Sequence, residues 1–125
     1  MRWLQLGVGG AGVLAFLGTG LYMGTHFPAA YAGGEHIRYL YRANHVYLLA
    51  GSLLNIALGC YWPSARPGWR GKLALVGTWL VAAAPFLLLY AFFAEAAPGL
   101  PERPATFIAM LCLLLGVLAQ WPNRR

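Results

Sequence analysis

Leu73–Ala94 reads LALVGTWLVAAAPFLLLYAFFA, and nothing in it carries a charge. Wound as a helix, a stretch of this length crosses the ~30 Å hydrocarbon core of a bilayer. Three further uncharged runs accompany it: Trp3–Met23, Val46–Trp62 and Ala105–Trp121. Membrane-spanning strands would alternate in segments of about ten residues, and these runs are longer and continuously apolar. The sequence therefore predicts an all-α protein, an integral membrane four-helix bundle. Residues 1–125 form a single transmembrane domain in this reading, with spans at about 3–23, 43–62, 73–94 and 105–121.

Composition points the same way. Hydrophobic residues make up 60% of the chain and charged residues 10%, where soluble domains carry about a quarter charged. Mean hydropathy is +0.60. Arg2, the apolar run behind it and Ala30-Tyr31-Ala32-Gly33 imitate a secretory signal. The run is longer than the usual 7–15-residue core of such signals, so it is read as the first membrane helix.

In a membrane protein the net charge of +6 reports topology rather than nucleic-acid binding. Four spans put Arg2, Arg66, Arg70, Lys72, Arg124 and Arg125 on one side with no acid. Arg38, Arg42 and Arg103 fall on the other, with Glu35, Glu95 and Glu102. Six basic residues against three predict cytoplasmic termini in a bacterial inner membrane. The basic turn from Pro63 to Arg70 then touches anionic headgroups. Trp3, Trp62, Trp69 and Trp121 mark that interface, and Tyr22, Tyr31, Tyr39, Tyr41, Tyr47 and Tyr90 lie toward the opposite one.

Small residues at helical spacing predict close packing: Gly7, Ala11, Ala15 and Thr19 in the first span, Gly51, Asn55 and Gly59 in the second, and Ala105, Ala109, Cys112, Gly116 and Ala119 in the fourth. Pro85 removes a backbone donor inside the third span and predicts a kink. Cys60 and Cys112 read as small packing residues, not as a disulfide.

The polar chemistry is concentrated between His26 and Asn55. A second helix starting near His36, after Gly33-Gly34, places Arg38, Arg42, His45, Ser52 and Asn55 on one face. Two arginines at a helix N-terminus oppose the helix dipole and call for a counter-charge. Glu35, a lipid phosphate or another anion would supply it. Glu35, Arg38, Arg42, His45, Tyr41 and Asn55 are thus the candidate ligand-binding residues.

His26 and His45 are the candidate metal ligands, for haem or for copper with Met23, since imidazole suits both. Their spacing matches no short metal motif. No carboxylate pair lies within a span, and no nucleophile elbow or phosphate-cradling loop is present. Arg42-Ala43-Asn44-His45 resembles the Arg-Ala-His-x-Asn stretch of the trimeric glutathione- and eicosanoid-handling membrane enzymes, which also have four helices. The Glu that follows in that family is absent here, as are its later Arg and Tyr positions, so no role is carried over.

The expectation is a non-enzymatic accessory subunit or oligomer. Its outer His/Arg/Tyr cluster contacts lipid, quinone or a partner within a homo-oligomer or larger membrane complex. Nucleic acid is not an expected partner. The alternatives are a haem- or metal-binding redox protein using His26 and His45, and a small-molecule transporter with His45 as its one proton-linked group.

Overall fold

The computed structural model describes residues 1–30, 34–61, 67–96 and 101–121, and only the backbone of 27–30. Four helices follow in order: α1 (Arg2–Ala30), α2 (Glu35–Cys60), α3 (Trp69–Ala94) and α4 (Pro104–Gln120). There is no strand among the described residues. The protein is the all-α four-helix bundle the uncharged runs predict. α1, α2 and α3 are long and apolar enough to cross a membrane. α4 is apolar but has 17 residues, about 25 Å at ~1.5 Å per residue.

The helices overrun the uncharged runs. α2 begins at Glu35 and α3 at Trp69, because intrahelical hydrogen bonding does not end where the apolar stretch does. Two glycines set these starts. Gly34 (φ 100) and Gly68 (φ 88) immediately precede α2 and α3, in the left-handed region that glycine alone enters freely. Pro104 opens α4 at its first position, where its missing donor costs nothing.

Packing divides the bundle into two antiparallel hairpins, α1 on α2 and α3 on α4, joined mainly through α2 and α3. Both hairpins close on glycine. A Cβ on Gly9 would lie 2.5 Å from Ile56 Cγ1 and 2.8 Å from the Ser52 carbonyl. One on Gly77 would lie 2.5 Å from the Gly116 carbonyl. These approaches bring backbones together, the main source of attraction between helices in lipid. The expected small-residue stripe of α1 is partly corrected. Thr19 is buried and Ala15 half-buried, but Gly7 and Ala11 are exposed, and Gly9 and Gly12 take their place in the contact. A strict four-residue repeat drifts about 40° per step around a helix, so the stripe winds off the interface. In α2, Gly51, Asn55 and Gly59 are all buried as expected. Cys112 is half-buried, whereas Cys60 is exposed.

Leu48, Leu58, Val81, Ala84, Leu88, Ala109 and Leu113 form the central core. α3 runs without interruption across Pro85, and Asn55 explains how. Proline at 85 has no N–H, so the carbonyl four residues back, Val81, loses its helical donor. Asn55 Nδ2 donates to that carbonyl at 2.9 Å and to Gly51 O at 2.9 Å. A side chain on α2 thus fills the gap that Pro85 leaves in α3. Beside Pro85 a crevice of about 200 Å³ opens between α1 and α3, with Gly12, Leu48 and Phe86 in its wall.

At the end where α1 and α3 begin, Trp3, Trp69 and Trp121 are exposed. The Arg2 and Arg70 guanidinium groups stand 5.8 and 5.7 Å over the Trp3 and Trp69 rings. Trp62, Arg66, Arg124 and Arg125, assigned to this side from the sequence, lie outside the described residues, as does Tyr31 at the other end.

Candidate functional site

The opposite end, where α2 and α4 begin, holds most of the polar chemistry, and the helical twist splits it into three groups. Glu35, Arg38, Tyr39 and Arg42 occupy one exposed stripe on the first two turns of α2. They line a surface pocket of about 240 Å³. It combines two guanidinium groups, a carboxylate and a phenol. Glu35 in the first turn suits the positive helix end, while the arginines oppose it.

His45 has left that stripe and turns toward α1. Its Nδ1 lies 2.9 Å from Thr19 Oγ1, and its ring stacks on Phe16 with centroids 4.0 Å apart and planes at 21°. Gly20 makes the room, since a Cβ there would come within 3.2 Å of His45 Cε1. The partner of the His45 ring on α1 is thus the Thr19 hydroxyl. Thr19 also donates to Phe16 O at 2.9 Å. When its single hydrogen is used there, Nδ1–H of His45 is the donor to Thr19.

Ser52 and Asn55 turn further and are fully buried. The single face expected for Arg38, Arg42, His45, Ser52 and Asn55 is therefore corrected to a spiral from the exposed surface to the core. Seventeen residues at ~100° each end about 100° away from the start. Tyr41 also points inward, meeting Phe92 edge-on at 5.0 Å and Tyr22 at 6.5 Å.

His26 stands apart from His45. It stacks on Tyr22 at 4.3 Å, and its Nδ1 is 2.8 Å from Thr25 Oγ1. The partners of His45 belong to the Phe16–Gly20 turn of α1, and those of His26 to the Tyr22–Thr25 turn. Among the described residues, no three side chains of metal-ligand type converge.

The third group escaped the sequence reading. Glu95, just past the end of α3, is 3% exposed. Its carboxylate accepts from the backbone N–H of Ala105 and Thr106 and, at 2.7 Å, from the Thr106 hydroxyl. It thereby caps α4 from across the hairpin. Asn44 on α2 closes the knot, its Oδ1 accepting from Arg103 Nη2. Arg103 has only donors, so this bond fixes the amide's orientation and leaves Asn44 Nδ2 buried without a partner. The signal was present in part: Asn44, Leu48, Gly51 and Asn55 repeat at helical spacing on the buried face of α2.

No protein-family model, curated protein or solved structure matches this chain. Fold and site define its class: a small all-helical bundle of membrane type, with a charged pocket at one rim and a buried Asn44–Glu95–Arg103–Thr106 knot behind it.

Proposed function

We propose that this protein is a non-enzymatic subunit of a bacterial inner membrane, working as a homo-oligomer or within a larger membrane complex, whose outer rim binds lipid headgroups. One observation carries the reading. Glu35, Arg38, Tyr39 and Arg42 converge on a pocket of about 240 Å³ at an end of a helix long and apolar enough to span. Charge at that depth, on a face turned away from the bundle, fits a phosphate-bearing headgroup. Replacing Arg38 and Arg42 together by Gln should lower phospholipid retention through purification about thirty-fold, given ~1 kcal/mol per basic side chain near a charged surface. The exposed pair Arg70 and Lys72, changed to Gln, should have a much smaller effect. Equal losses from the two double variants would make the rim arginines ordinary surface charges.

Orientation belongs to the same reading. Arg38, Arg42 and Arg103 are the three basic residues at this end, against six in the segments assigned to the other. The other side keeps only basic residues, which favours cytoplasmic termini. A reporter active only in the cytoplasm should work when fused after Arg125, and one active only in the periplasm should not. The reverse pattern would place the pocket on the inner surface.

A further inference from the structure

The rim pocket continues downward as a track. Glu35, Arg38, Tyr39 and Arg42 are followed on the same side of α2 by Val46, Leu49 and Leu53, at steps of four, three and four residues from Arg42. Val46 is 58% exposed and Leu53 50%, and Leu49 between them is half-buried. One stripe of one helix thus presents charge at headgroup depth and an apolar strip beneath it. The charged part is of mixed sign, with a carboxylate beside two guanidinium groups.

A purely anionic headgroup would satisfy the arginines but face the Glu35 carboxylate with nothing to give it. A choline headgroup brings a cation that has no N–H to donate. A headgroup with a phosphate and a primary ammonium serves both signs, because an ammonium offers three donors and a phosphate accepts from guanidinium forks. We infer that this stripe selects a phospholipid of the phosphatidylethanolamine type. Its phosphate lies on Arg38 and Arg42, its ammonium on Glu35 and the Tyr39 phenol oxygen, and one acyl chain follows Val46, Leu49 and Leu53. The inference rests on the headgroup-binding reading above and adds the selectivity, which Glu35 supplies.

The test is competition for the delipidated protein, read by native mass spectrometry. The probes are phosphatidylethanolamine, phosphatidylglycerol and phosphatidylcholine with identical chains, with inorganic phosphate as a separate arm. The wild type should prefer phosphatidylethanolamine about ten-fold over each of the others, the scale of a hydrogen bond to a charged group. Glu35 is exposed and caps nothing with its side chain, so Glu35→Gln should keep the unfolding transition while abolishing the preference over phosphatidylglycerol. Arg38→Gln with Arg42→Gln should weaken all three lipids. Equal retention of the three by the wild type, or an unchanged preference in Glu35→Gln, overturns the selectivity and leaves headgroup binding standing. Displacement of lipid by millimolar phosphate overturns the lipid as occupant. Full retention of every lipid by the double arginine variant overturns both readings.

Discussion

Asn55→Leu is expected to destabilise the bundle by about 2 kcal/mol, the upper range for a side-chain hydrogen bond inside a membrane protein. Pro85→Ala should remove most of that loss. The Val81 carbonyl has no helical donor because residue 85 is proline, and Asn55 Nδ2 at 2.9 Å replaces it. Leucine would leave this carbonyl unpaired in a water-free interior. Alanine at 85 returns the N–H, and the asparagine then becomes largely dispensable. Pro85→Ala also widens the crevice beside Gly12, a cost that cancels in a double-mutant cycle. Unfolding of the four proteins in mixed micelles should give a coupling of ~1 kcal/mol or more. Additive effects would mean that Asn55 stabilises the bundle by some route other than the proline gap.

The Pro85–Asn55 pair marks the boundary of what the sequence makes legible. Charge-free runs such as Leu73–Ala94 announce helices because the bilayer leaves backbone groups almost no other partner. The Gly33-Gly34 pair announces where α2 begins to within a residue, near His36 against the observed Glu35. Pro85 announces a missing donor, but not that the replacement comes from 30 residues earlier on another helix. The faces of α2 were legible only over short distances. The spacing of Arg38 and Arg42 is a sound local reading, yet carrying the same face on to Asn55 accumulates enough rotation to move a residue from the exposed surface to the core. Tyr41 was grouped with the arginines by proximity in sequence and instead meets Phe92 in the interior. Glu95 and Arg103 look like loop charges flanking a connection rich in proline, glycine and alanine. Their burial depends on α4 folding back against α2 and α3, which nothing within ten residues of either can reveal.

Glu95→Ala is the change with the largest expected effect, roughly 3 kcal/mol. Three separate losses contribute. The N–H groups of Ala105 and Thr106 lose their acceptor, worth ~1–2 kcal/mol on the scale of helix N-caps. The Thr106 hydroxyl loses its 2.7 Å partner. Arg103, bonded to Asn44 within the same knot, loses the nearby negative charge in a poorly solvated site. One effect runs the other way, because a carboxylate beside the last turn of α3 opposes that helix's dipole. It is small next to a charge-assisted cap buried to 3% exposure. Glu95→Gln keeps one acceptor oxygen and should lose about half as much. Hydrogen exchange localises the effect. The Ala105 and Thr106 amides should exchange much faster in Glu95→Ala, while amides in the α1–α2 contact around Ser52 and Ile56 stay protected. If Ala105 and Thr106 remain as slow as in the wild type, the carboxylate is not the cap of α4. If Glu95→Gln costs as much as Glu95→Ala, the charge of Glu95, rather than its hydrogen bonds, holds α4 against the rest of the bundle.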